Sequence, residues 1–383
     1  MFKYALFQAL VLAAVLVSAV PTKRAPRPAK RASCTVDSVD AASSISDCSS
    51  VTISAFTVAS GDTLVLSVRS FWARRRLRIA HSCFESPLMG PTVTMAGDIT
   101  FAQTSTDGPL FTIDGSDVTF NGAGYKFDGN GADYWDGEGT NGGVDKPHPL
   151  LKFKGSGTYS DFTVLNSPAQ AVSIGNSDGL TFDSITVDNS AGDTNDLGHN
   201  TDGFDVSADN VTIQNSVVKN QDDCIAINDG TNIQFLNNKC SGGHGISIGS
   251  IASDKSVSDV TISGNTVTDS MYGFRIKVQA SATSASVSGI TYSGNTLSGL
   301  DKYGVLITQS YPDDDGTPGT GGPISDVSFT GDATTITVGD DAERLTVDCG
   351  ACSGTWDFSA LTITGGSEGT VDSNSATISG GSY

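Results

Sequence analysis

From about residue 150 onward, apolar residues alternate with Thr, Ser or Asn at period two, in stretches that restate one another. GLTFDSITV begins at 179, NVTIQNSVV at 210, NIQFLNNKC at 232, DVTISGNTV at 259, GITYSGNTL at 289 and DVSFTGDAT at 326. Strict alternation is the mark of a half-buried strand. The equivalent apolar positions Leu180, Val211, Ile233, Val260, Ile290 and Val327 are spaced 31, 22, 27, 30 and 37 apart. A floor near 22 with variable excess means a short repeat unit carrying loops of different length. A propeller blade needs about 40 residues, so the unit is too short for one. It suits a parallel β-helix, an all-β, single-stranded solenoid whose successive coils stack about 4.8 Å apart. Gly264-Asn265 and Gly294-Asn295 fit tight corners that need a positive φ. No helical stripe appears except a short turn near Val36–Ser46. An irregular antiparallel sandwich is the competing reading.

The ends and the charge narrow the setting. MFKYALFQALVLAAVLVSAV places Lys3 before an apolar run closed by small residues, which reads as a secretory signal over 1–19 and not a membrane span. PTKRAPRPAKR extends a basic, Pro-rich pro-segment over 20–31, ending in Lys30-Arg31, and 32–383 is expected to be the solenoid. The whole chain carries −20. The leader holds six of the 22 Lys+Arg and no acid, so the mature balance is 16 − 42 = −26. Such a chain repels nucleic acid and anionic membranes, and neither is expected as a partner. A polyanionic substrate would need a local basic patch. Seven cysteines in a secreted chain should pair. Joining sequence neighbours gives Cys34 with Cys48, Cys224 with Cys240 and Cys349 with Cys352, leaving Cys83 over. Asn210-Val211-Thr212 is a glycosylation acceptor.

Candidate chemistry gathers in GHNTDGFDVS (198–207), NQDDCIAI (220–227) and GGHGISIGS (242–250). Asp202, Asp223 and His244 are spaced 21 and 21, one coil each. Residues one coil apart lie above one another, so the three form a column, flanked by Asp205 and Asp222. Asp222 and Asp223 are adjacent and can share a face only at a strand–turn corner. Crowded carboxylates raise at least one pKa, the division of labour that glycoside hydrolysis needs. Calcium binding or turn capping is the alternative use of such acids. In MYGFRIKVQA, Arg275 and Lys277 share one side of a strand near the column, suited to a carboxylated substrate. Tyr311, ending a later strand, is a candidate sugar platform.

NTD (200–202), QDDC (221–224), GHG (243–245) and RIK (275–277) resemble the four signature motifs of fungal polygalacturonases in glycoside hydrolase family 28, intact and in order. The likeness runs from about Cys34 to Gly365. It implies a right-handed parallel β-helix that hydrolyses α-1,4-linked galacturonan with inversion, without a metal or other cofactor, as a secreted monomer. Carried over, Asp222 is the general acid. Asp202 and Asp223 hold and activate the water, and His244 sets the protonation. Arg275 and Lys277 bind a galacturonate carboxylate, Asn200 positions neighbours and Tyr311 contacts sugar.

One segment departs from the pattern. VRSFWARRRLRIAHSCFESPLMG (68–90) holds five Arg, Trp72 and the unpaired Cys83, without strand alternation. It is read as intron sequence translated in frame, against a true basic loop at the cleft edge. Endo action is expected because no long insertion surrounds the catalytic coils. Exo action, rhamnogalacturonan hydrolysis, calcium-dependent lysis and a non-catalytic binding solenoid remain as alternatives.

Overall fold

The structure, a computed structural model, describes residues 32–68 and 90–383. The leader (1–19 and 20–31) and the interior of the atypical segment, 69–89 with Cys83, lie outside the described residues.

Every strand pairing is parallel, and each strand meets its counterpart in the preceding or following coil, which makes a right-handed parallel β-helix. The repeat alignment is also the observed register. Leu180 pairs with Val211, Val211 with Ile233, Ile233 with Val260, Val260 with Ile290 and Ile290 with Val327. Alternation explains this outcome, since a slip of one residue would turn each apolar row out to water. Leu180, Val211, Ile233, Val260, Ile290 and Val327 are all fully buried. At the N-terminal end, the expected turn is a short helix, Val39–Ala42, capped by the Ser38 hydroxyl, which accepts from Ala41 N.

One row of the interior is polar. Asn238, Asn265 and Asn295 are buried one coil apart. Each side-chain oxygen accepts from the backbone N–H of the coil before it: Asn238 from Ser216 at 2.8 Å, Asn265 from Asn238 at 2.8 Å, Asn295 from Asn265 at 2.9 Å. Their amide nitrogens donate to the carbonyls of Ile213, Phe235 and Ile262. The ladder satisfies corner backbone groups that would otherwise be buried unpaired. Its preceding corner position has a positive φ in every coil, with Asn237 at 56°, Gly264 at 69° and Gly294 at 65°.

Candidate active site

Two coils without slack build the site. Phe204 pairs with Ile225 and Ile225 with Ile246, 21 residues each time, and Ile246 then pairs with Phe274. Two residues earlier in each coil stand Asp202, Asp223, His244 and Tyr272. Gly203 N donates to Asp223 O and Cys224 N to Gly245 O, which ties these corners together. A second row, Asp205, Ala226, Ser247 and Arg275, runs beside the first. Arg275 therefore stands over Ser247 and not over His244. The coil after His244 is 28 residues from Ile246 to Phe274, and its next member in the His244 row is Tyr272.

Asp222 and Asp223 occupy the corner just before the Ile225–Leu236 strand and face different surroundings. Asp222 keeps 14% of its side chain exposed, whereas Asp223 keeps 1%. Asp222 accepts from Asn200 Nδ2 at 3.1 Å and from Asp223 N at 2.7 Å, and His244 Nδ1 lies 3.1 Å from its Oδ1. Asp223 accepts from Ser247 Oγ at 2.6 Å and from Lys277 Nζ at 2.5 Å. Asp202 lies at the N-terminal side of the pair, 8% exposed.

These surroundings pull the carboxyls apart. Burial pushes Asp222 up, but the hydrogen bond and charge of His244, with Lys277, outweigh it and hold Asp222 at about 2. Burial, then the charges of Asp222, Asp205 and Asp223, push Asp202 well above the usual carboxylate range against the pull of Lys277. Burial and the charges of Asp223 and Asp222 lift Asp205 to about 7. Protons thus collect on Asp202 and Asp205, while Asp222 is ionised beside the imidazole. One ligand atom each from Asp222, Asp223 and His244 lies within 4.8 Å of the others. Lys277 already supplies a cation against Asp223.

Arg275 and Lys277 are both buried and engaged with protein carboxylates. Lys277 pairs with Asp223, and Arg275 Nη2 is 3.4 Å from Asp314 Oδ1. Arg275 stacks its guanidinium 3.9 Å above the Tyr272 ring, and its Nε is a buried donor with no partner. Tyr311 ends the Thr296–Tyr311 strand with its ring 5.9 Å from the Arg275 guanidinium and 5.4 Å from Lys277 Nζ. Asn200, besides its bond to Asp222, accepts from Thr140 N at 2.9 Å and so fastens the loop that follows Asp133 to the site.

Ser247, Tyr272 and Asp314 were not singled out from the sequence. Ser247 shares the second row with Arg275, a signal available once the coil lengths are known. Asp314 lies within YPDDDG, and nothing in the sequence distinguishes it from Asp313 or Asp315. Away from the cleft, Cys34–Cys48, Cys224–Cys240 and Cys349–Cys352 are disulfide-bonded. Asn210 is exposed at a corner with φ 57°.

Residues 48–380 match the glycosyl hydrolases family 28. An endo-polygalacturonase of Sclerotinia sclerotiorum is 45% identical over 83% of this chain and 80% of its own. Endopolygalacturonase A of Aspergillus niger is 42% identical over 94% of both chains. Endopolygalacturonase I from Stereum purpureum, solved with two galacturonates, superposes with a TM-score of 0.86 at 65% identity, covering 91% of this chain and all of that one.

Proposed function

This chain belongs to glycosyl hydrolases family 28, and from that premise we propose that it is a secreted endopolygalacturonase, hydrolysing α-1,4 linkages within galacturonan. One observation carries the reading. Asp202, Asp222, Asp223 and His244 share one corner of three adjacent coils, with Arg275 and Lys277 beside them.

Asp222 is the most exposed of the three acids on which the reaction is placed, and His244 Nδ1 lies 3.1 Å from it. In the free protein Asp222 is held ionised, at about 2. A galacturonate carboxylate arriving at Arg275 and Lys277 brings negative charge and weakens the pull of Lys277 on Asp222. Both effects raise the affinity of Asp222 for a proton, which it then delivers to the leaving glycosidic oxygen. As the C1–O bond breaks, water held at Asp202, which keeps its own proton, attacks C1 and loses its proton to Asp223, the carboxylate paired with Lys277. The unpartnered Arg275 Nε supports carboxylate capture, because a buried donor without an acceptor is costly until a ligand supplies one.

The spacing of the acids bears on stereochemistry. Atoms of Asp222 and Asp223 within 4.8 Å are closer than the roughly 6.5–9.5 Å usual for inverting pairs. Distance alone therefore favours retention. Against a covalent route, both oxygens of Asp223 are taken by Ser247 and Lys277, and the side chain is 1% exposed. We propose inversion, with the attacking water held at Asp202.

The test is incubation with unesterified polygalacturonate, with and without a chelator. New reducing ends without ultraviolet-absorbing products, unaffected by chelation, are expected, with the first products in the inverted anomeric form by NMR. Asp222→Asn should lower kcat by about 10²- to 10⁴-fold. Unsaturated products, or activity lost on chelation, would overturn the reading.

A further inference from the structure

Past Tyr272 the cleft holds a cation that the reaction does not use. Lys302 sits on the Thr296–Tyr311 strand, in the coil after Arg275 and Lys277, with 49% of its side chain exposed. Its Nζ lies 2.5 Å from Asp314 Oδ2 and 3.4 Å from the Tyr272 hydroxyl. The same Nζ is 5.6 Å and 5.7 Å from the ring centroids of Tyr272 and Tyr303, which stack 7° from parallel. Asp314 is 10% exposed and also accepts from the Tyr272 hydroxyl at 2.8 Å and from Arg275 at 3.4 Å. One carboxylate thus braces two cations from successive coils and leaves a net positive charge among the three. Asp313 and Asp315, in the same loop, are turned out to solvent.

Exposure separates Lys302 from the clamp. Arg275 and Lys277 keep only 6% and 7% of their side chains exposed, so they grip what enters the catalytic corner. Lys302 presents an open ammonium to anything lying along the cleft. Beyond it, Tyr303 pairs with Glu343, and the positive stretch meets an acid.

We propose that Lys302, braced by Asp314 against Tyr272 and Tyr303, binds a second carboxylate of the substrate, one coil beyond the Arg275–Lys277 clamp. The inference rests on the polyuronide reading above. A polyuronide carries a carboxylate on each sugar, and coils about 4.8 Å apart offer cations at a comparable repeat. An ammonium is a point charge that tolerates varied carboxylate orientations, unlike the planar guanidinium. Bracing by Asp314 and the two rings lowers the side-chain entropy lost on binding. Glu343 would repel a further carboxylate and so bound the cleft on this side.

The experiment compares wild type, Lys302→Gln and Lys302→Arg on oligogalacturonates from trimer to hexamer. Lys302→Gln should raise KM about fivefold on the longer oligomers, the scale of a partly exposed ion pair, with kcat little changed. Lys302→Arg should restore KM, and the gap should close at ~0.5 M salt, where the Debye length falls to a few ångströms. An unchanged KM, or a fall in kcat alone that Arg does not rescue, overturns the proposal. Should the wild type release no reducing ends, the polygalacturonase reading fails on its own. Calorimetric binding of hexamer to wild type and Lys302→Gln still decides Lys302, equal affinities counting against it.

Discussion

At the scale of single residues, the site's acids set opposing demands on pH. Asp222, held at about 2, contributes stability that is complete above the unfolded carboxylate pKa and is lost as pH falls through about 2. Asp205, lifted to about 7, acts in reverse, and Asp202 is shifted in the same upward direction. Between about 4 and 7 the unfolded chain has released these protons while the folded chain still holds them. Unfolding then gains stability relative to folding as pH rises. The self-repulsion of a strongly acidic chain adds to the decline. Tm measured across pH 2–8 should therefore peak near pH 4, and Asp205→Asn should flatten the fall between about 4 and 7. A variant whose curve is as steep as the wild type's would show that Asp205 does not hold its proton.

At the scale of strands and corners, the register frames the atypical segment. Val68 pairs with Gly115 and Thr92 with Thr119, so the next coil passes between these two ladders with three intervening residues. Removing 69–89 leaves Gly90 and Pro91 for the same crossing. Gly90 is already packed so tightly on Asp117 that a Cβ would fall 1.8 Å from its carbonyl oxygen. The deletion chain should fold with an equal or higher Tm and at least equal activity, and loss of secreted, folded protein would mean that the segment is part of the protein. Sequencing the transcript addresses the intron reading directly. Strand alternation made the coils legible from the sequence, because the period of two and the buried row are one physical fact. The 21-residue spacing likewise placed Asp202, Asp223 and His244 together. Illegible were the features set by loop length. The 28-residue coil set Arg275 in the Ser247 row, and the loop after Tyr311 brought Asp314 beneath it. The buried Asn238–Asn265–Asn295 ladder was visible only as recurring Gly-Asn corners. Nothing in a single coil reveals that an amide oxygen will serve the coil before it.

At the scale of the molecule, the solenoid offers a long face, and the corner that carries Asp202, Asp222, Asp223 and His244 lies in its middle coils, with further coils on both sides. A chain laid across such a face can be cut internally. The viscosity of polygalacturonate should therefore fall well ahead of the release of reducing ends. Proportional change of the two would mean that one end of the cleft is closed. Among the described residues no helix is long and apolar enough to cross a membrane.

The two coils of 21 residues that carry Asp202, Asp223 and His244 leave no spare length between these three side chains. Gain or loss of one codon there would rotate a carboxylate off its neighbour, whereas the connections before Phe204 and after Ile248 already absorb extra residues. Insertions or deletions at the margins of the cleft should therefore retune which stretch of polymer is gripped and leave the middle corner intact, whereas one between these two coils should not.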